Sequence, residues 1–367
     1  MSTLSKEERQ ALCDMFERLL RDRASLDTLR SVVKQPKKFD ASVWKELSEL
    51  GLLSLMVAEE SDGIGGDVQD LQAIMEISGR VLFPSPFLST AVFAVDLLQA
   101  CKNDKLKQEC LSDISAGETI FAVTKGSATG SWSDETMLTA TDTGDTWSVN
   151  GVASYVIDAP RADELLVCAN TSSGIGVFCV SASDANIDPL ETDDPSISLG
   201  SVTFQGASAE MLDGLDEAMI TSALQTTLVG IAAHQAGAAQ AIFEQTIEYL
   251  NTRYQFGRPI GSYQALKHMA ADLLIEVESA ITVSREAAVA LANGKPDAAQ
   301  LVWLAAFACA DSFREVSAAA IQLHGGIAYT MEHDAHLFWR HARANQWLFG
   351  TSDQFREQYL QTWEDAA

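Results

Sequence analysis

Apolar residues recur at helical spacing from the N-terminus to about Gly117. "VWKELSELGLL" (43–53) and "LQAIMEISGRVL" (71–82) each place a stripe at i, i+3, i+4 and i+7, which predicts an opening helical unit. Between them, "EESDGIGGD" carries Gly63, Gly65 and Gly66. Their spacing is not the G-x-G-x-x-G of a phosphate-cradling loop, so a turn between helices is expected. From about Thr119 to Leu212 the runs become short and rich in β-branched and aromatic residues: "TIFAVT", "TWSVNGVASYVI", "ELLVCA" and "GVFCVS", separated by "TGD", "NG" and "SSG". Hairpin-like succession without helical patterns between the runs predicts an antiparallel barrel or sandwich. After about Asp213, the alanine-rich stretches Ala223–Phe256, Ser262–Asn293 and Asp297–Leu323 contain no proline and predict closely packed antiparallel helices. The expected organisation is an α+β multi-domain chain: an N-terminal α-helical domain (1–118), a middle antiparallel β domain (119–213) and a C-terminal helical bundle (214–367).

Composition narrows the function classes. With 51 acidic against 25 basic side chains, the formal charge of -26 repels phosphate backbones and anionic membranes, so neither nucleic acid nor a membrane surface is an expected partner. The six cysteines (13, 101, 110, 168, 179 and 309) form no C-x-x-C pair or disulfide framework, which fits a reducing compartment. The first residues are charged and amphipathic, unlike a signal peptide, and apolar runs such as "LVWLAAFACA" are about half the ~18 residues of a membrane span. A cytoplasmic location is expected.

Several residues invite chemistry. His333 and His336 lie three apart, with Glu332, Asp334 and His341 nearby; no second ligand cluster accompanies them, and no metal site is expected. No serine occupies a G-x-S-x-G elbow. In "TRYQFGRPIGSYQALKHMAADL", Arg253 ends a long helical pattern, glycines bracket a turn and Gln264 opens the next helix. Two readings stand: Arg253 is a forked donor to a pyrophosphate with Gln264 bonding a ligand's polar edge, or it is a cation complementing the helix dipole before an ordinary turn. In "QLHGGIAYT", Gly325 and Gly326 permit a flat ligand to approach the backbone. Near the C-terminus, "NQWLFGTSDQ" reads as a helix stopping at Gly350.

Together these residues resemble the acyl-CoA dehydrogenase family along nearly the whole chain. The R-x-x-F-G pattern with its following glutamine is matched by Arg253, Phe256, Gly257 and Gln264; Q-x-x-G-G is matched by Gln322, Gly325 and Gly326. The resemblance implies helical, β and four-helix-bundle domains, an FAD cofactor, an acyl-CoA substrate and an acceptor such as an electron-transfer flavoprotein. It further implies that the Arg253 and Gln322 motifs, with Thr351, hold the pyrophosphate and adenine of a neighbouring subunit's FAD. The family's catalytic glutamate is missing from both of its known positions, which look like Phe349 and Thr227 here. Around the flavin ring, the family's T-E-P becomes Thr124, Lys125, Gly126, and its W-x-T becomes Tyr155, Val156, Ile157.

The resemblance therefore implies a subunit without the base, like those of bacterial α2β2 acyl-CoA dehydrogenases acting on steroid side-chain thioesters. A homologous partner would carry the carboxylate, and each tetramer would share two flavins. Two alternatives stand beside it: a non-catalytic acyl-CoA-binding or assembly protein, and a homo-oligomeric dehydrogenase whose base has moved to Asp353 or Asp158.

Overall fold

The structure is a computed structural model, and it describes residues 4–35, 37–144 and 146–365. Asp145 of the "TGD" turn and the extreme terminal residues lie outside the described residues. The N-terminal part contains α1 (Lys6–Arg23), α2 (Leu26–Val32), α3 (Ala41–Glu49), α4 (Val68–Gly79), α5 (Val95–Ala100) and α6 (Asp104–Ala116). Side chains stop these helices fraying: Ser5 and Glu8 form a reciprocal capping box on α1, as Asp67 and Asp70 do on α4. The glycine-rich segment around Gly63 is indeed a turn, leading into α4. A π-helical stretch, Leu88–Ala94, runs directly into α5.

The middle strands are β1 (Phe121–Thr124), β2 (Thr139–Asp142), β3 (Trp147–Ile157), β4 (Glu164–Thr171), β5 (Gly174–Ser181), β6 (Asn186–Leu190) and β7 (Leu199–Met211). Their pairings run β4–β2–β3–β7–β5 and return to β4, closing a barrel. The sheet is mixed rather than purely antiparallel: β1 and β2 both pair parallel to β4, while the remaining ladders are antiparallel. Nor does the "NG" dipeptide turn the chain; Asn150 and Gly151 lie inside β3 at a register shift. A bulge absorbs the positive φ there without ending the strand.

The last part comprises α7 (Glu217–Thr252), a short hairpin of β8 (Tyr254–Gln255) and β9 (Arg258–Pro259), α8 (Gln264–Ala292), α9 (Ala298–His324), α10 (Ala335–Asn345) and α11 (Ser352–Asp365). Helices α7, α8, α9 and α11 form the bundle, with α9 touching the other three. One hydrophobic cluster runs from the N-terminal helices into this bundle, whereas the barrel encloses a second of its own. Two glycines allow the helical union. A Cβ on Gly79 of α4 would lie 1.9 Å from the His234 carbonyl, and one on Gly237 of α7 would lie 1.9 Å from that of Glu76. The backbones are in direct contact, which any larger residue would force apart. Among the described residues, no helix is long and apolar enough to cross a membrane.

Candidate functional site

At the far end of α7, Arg253 donates its backbone N–H to Tyr249 at 2.9 Å, and its carbonyl accepts from Ile260 at 2.8 Å. The hairpin between them carries Phe256 and Gly257, both at positive φ, and leaves Phe256 92% exposed. One turn before Arg253, the Tyr249 ring stacks on His324 with centroids 4.6 Å apart. That contact joins the ends of α7 and α9, so the Arg253 and Gln322–Gly326 corners share one end of the bundle. Gly325 adopts φ 68°, ψ −148°, a combination glycine takes readily. A Cβ built on Gly257, Gly325 or Gly326 meets no atom within 4 Å, and Arg253, Gln264 and Gln322 are exposed. Tyr263, preceding α8, makes no side-chain cap, which leaves the first N–H groups of α8 available to an anion. A forked cation, an uncapped helix start and an open glycine corner fit the diphosphate and adenine of FAD approaching from outside the chain.

The stretch "NQWLFGTSDQ" is not a simple helix stop. Helix α10 ends at Asn345 with Gln346 as its C-cap, so Gly350 does not cap it. The left-handed residue is Phe349, at φ 62°, a conformation that costs a non-glycine residue about 1–2 kcal/mol. Tertiary contacts hold it there. Its carbonyl accepts from the Trp132 N–H at 2.9 Å, and its ring packs against Phe93 and Trp132 with centroids 5.8 and 6.2 Å away. Phe93 and Trp132 themselves meet at 4.7 Å, and all three rings are buried. Phe93 comes from the π-helical stretch, whose wider turn re-aims side chains relative to an α-helix.

Beside this aromatic cluster lies a cavity of about 830 Å³, walled by Thr124, Lys125, Tyr155, Ile157, Arg340, Arg343 and Trp347 among others. Asp193, itself exposed, is the one carboxylate among its described lining residues. Ile157 offers no hydroxyl, and Lys125 is engaged with the Trp132 carbonyl at 3.0 Å. Of the side chains that the resemblance expects around a flavin ring, Thr124 lines the cavity, while isoleucine stands at 157 in place of a threonine. Thr351 lines the cavity and caps α11, its Oγ1 accepting from the Gln354 N–H at 3.2 Å. It is thereby set apart from Arg253, Phe256, Gly257, Gln264, Gln322, Gly325 and Gly326, none of which lines the cavity. Thr227 is fully buried in α7 and donates to the Ala223 carbonyl at 2.9 Å, outside the cavity wall.

The two alternative carboxylates are engaged elsewhere. Asp353 is exposed and paired with Arg356 at 2.9 Å. Asp158 is buried beside Arg161 at 2.8 Å and accepts from Ser89 at 2.5 Å; burial raises its pKa despite the adjacent guanidinium. Neither lines the large cavity. The histidines are dispersed: His333 packs on His324, His336 faces the Met331 carbonyl, and His341 is buried. Among the described residues, no three metal-ligating side chains converge. His341 instead belongs to a buried relay. Its Nδ1 lies 2.6 Å from Asp194, its Nε2 2.8 Å from His234 Nε2, and His234 Nδ1 2.9 Å from Ser78 Oγ. Burial first, and then His341, holds the His234 pKa down to about 3.

Comparison with known proteins places this geometry. Residues 6–118 match the acyl-CoA dehydrogenase N-terminal domain and residues 214–362 the acyl-CoA dehydrogenase C-terminal domain. The chain is 30% identical to the acyl-CoA dehydrogenase IpdE2 of Mycobacterium tuberculosis, over 98% of each protein. Its fold superposes on a chain of the ChsE4-ChsE5 complex from Mycobacterium tuberculosis with a TM-score of 0.90, at 25% identity over 100% of this chain and 99% of that one. A structure described as the Tcur3481-Tcur3483 steroid ACAD gives a TM-score of 0.89, at 24% identity over 98% of each chain. The protein belongs to the acyl-CoA dehydrogenase family.

Sequence patterns did not single out Phe93, Trp132 or the Asp194–His341–His234 relay. Trp132 stands six residues after Gly126 of the altered Thr124-Lys125-Gly126 motif, the one signal near it in sequence. Phe93 and His234 sit in ordinary helical stripes, where nothing local marks them.

Proposed function

We propose that this chain is the subunit without the catalytic base in a heteromeric, flavin-dependent acyl-CoA dehydrogenase. What supports the reading is Phe349: a buried phenyl ring, packed against Phe93 and Trp132, occupies the position that the sequence resemblance assigns to the family's proton-abstracting carboxylate. When bound, FAD supplies the hydride acceptor for α,β-dehydrogenation of the acyl thioester. Here Arg253 would bind the diphosphate of the partner's flavin, while Gln264, Gln322 and the Gly325–Gly326 corner would hold its polar edges and adenine. The partner contributes the ring site and the base. Thr351, facing the large cavity, is a weaker member of this set and would serve a ligand on its own side. Likeness to a chain of the two-component ChsE4-ChsE5 complex supports a homologous partner. The steroid ACAD structure supports a polycyclic acyl group as substrate.

The test is to express the chain alone and with a homologous, glutamate-bearing dehydrogenase subunit, then to measure flavin absorbance and acyl-CoA oxidation. The expected result is a colourless, inactive chain alone and a yellow, active complex. A yellow chain that reduces its own flavin with substrate rejects the proposal. A complex that forms without flavin favours the non-catalytic binding reading instead.

A further inference from the structure

A second, smaller chamber of about 100 Å³ lies behind the large cavity and shares its Ile157 and Leu348 walls. Phe16, Ile74, Met75 and Ile231 supply an apolar lining, Arg161 and Asp158 form one polar side, and Ser78, His234, His341 and Asn345 form another. Arg161 is only 2% exposed. Its Nε approaches Asp158 as an ion pair at 2.8 Å, yet among the described residues neither Nε nor Nη1 has a directed hydrogen-bond partner. Leaving a buried charged donor unsatisfied costs on the order of 1–3 kcal/mol or more, so such a group calls for an acceptor absent from the chain itself.

Charge and size narrow that acceptor. Arg161 is already neutralised by Asp158, and a ligand carboxylate would place a second anion beside that buried aspartate. A neutral oxygen can accept from Nη1 without this repulsion; the ring nitrogens of His234 and His341 in the same lining are already engaged with each other, with Asp194 and with Ser78, so the apolar walls receive the rest of the ligand. A cavity of roughly 150 Å³ holds benzene, so a chamber of about 100 Å³ suits roughly four or five heavy atoms. We propose that this chamber binds a small, neutral carbonyl group, with Arg161 Nη1 as its donor and the apolar walls enclosing its alkyl flanks. The carbonyl arrives either as a free small ketone or as the keto end of a larger ligand seated in the adjoining cavity. This inference does not depend on the assignment of a catalytic partner.

The experiment uses the full chain and two keto probes, 2-butanone labelled with ¹³C at the carbonyl and 4-oxopentanoyl-CoA. Propionate and pentanoyl-CoA serve as the charged and deoxygenated controls. Saturable binding of 2-butanone with a downfield carbonyl shift, at least tenfold tighter than propionate, supports the free-ketone source. Binding of 4-oxopentanoyl-CoA at least tenfold tighter than pentanoyl-CoA supports delivery from the larger cavity. Either preference should be lost in Asp158→Asn/Arg161→Met, which removes donor and counter-ion together. Ile231→Phe, which fills the chamber and leaves the ion pair intact, should also weaken binding at least tenfold and guards against misfolding of the double variant. The proposal is overturned if neither keto probe shows its preference over its control, or if Ile231→Phe leaves that preference intact.

Discussion

The two ends of the C-terminal bundle have diverged in opposite directions. Around Arg253 and Gly325, polar side chains stand exposed, glycines face open space and a helix start is uncapped. Around Phe349, three aromatic rings interlock and the backbone is held in a left-handed conformation. One end retains groups whose hydrogen-bonding capacity is unspent within the chain. At the other, where the proposed reading puts the family's reactive carboxylate, the chain has aromatic packing. The exposed side chains of the open end pack little within the chain, whereas the rings of the closed end are buried, and substitutions should separate the two accordingly.

The sharpest break comes from Phe349→Glu. Placing a carboxyl between Phe93 and Trp132 removes aromatic packing and buries a polar group, for an expected loss of about 3–5 kcal/mol in denaturant titration. On the proposed reading no acyl-CoA oxidation should appear in the isolated chain, because the carboxyl alone does not restore the side chains that the resemblance expects at 125 and 157; recovery of activity would refute the closed-end account. Arg253→Ala should do the reverse. Folding of the chain should change little, while flavin retention by the co-expressed complex should fall roughly 10- to 100-fold, as for loss of a charge-assisted hydrogen bond worth about 1.5–3 kcal/mol. Unchanged flavin absorbance would remove this residue from cofactor binding.

Acid sharpens the contrast in a third way. His234, behind the closed end, keeps its proton off down to about pH 3, whereas an unfolded histidine takes one up near 6.5. The unfolded state therefore binds more protons between those values, and stability must fall as the pH drops from 6.5 towards 3, by up to about 1.4 kcal/mol per pH unit from this group. His234→Gln should flatten that part of the pH–stability curve; an identical slope would show that His234 does not govern it. The smallest effect is expected from Asp353→Asn, which breaks an exposed pair with Arg356. Stability should move by less than about 0.5 kcal/mol and activity of the complex should not change, whereas a large loss of activity would revive a relocated base.

Much of this contrast is legible along the chain. Helical periodicity located α3, α4 and the long bundle helices, and the β-branched runs located β1, β3, β4 and β5. Strands β2, β6 and β7 were not singled out, because exposed polar positions interrupt their apolar runs. The parallel pairing of β1 and β2 with β4 depends on a chain path that no single strand encodes. The resemblance marks Phe349 as the position expected to carry a carboxylate, but nothing local marks it as a member of a buried trio, since Phe93 and Trp132 lie far from it in sequence. Gly350 invited a helix-cap reading because glycine often performs that task, and here the left-handed position falls one residue earlier.

The sequence by itself determined the kinds of element, their order, the surplus of negative charge and which chemical groups stand at Arg253, Gln322, Phe349 and Ile157. Those properties are local, because periodicity and side-chain identity are written residue by residue. The tertiary structure alone decided that Gly79 and Gly237 let two distant helices touch, that Phe93, Trp132 and Phe349 close one end, and that Arg161 is buried with an unmet donor. A hydrophobic stripe records that a face will be covered, and only the folded chain specifies what covers it.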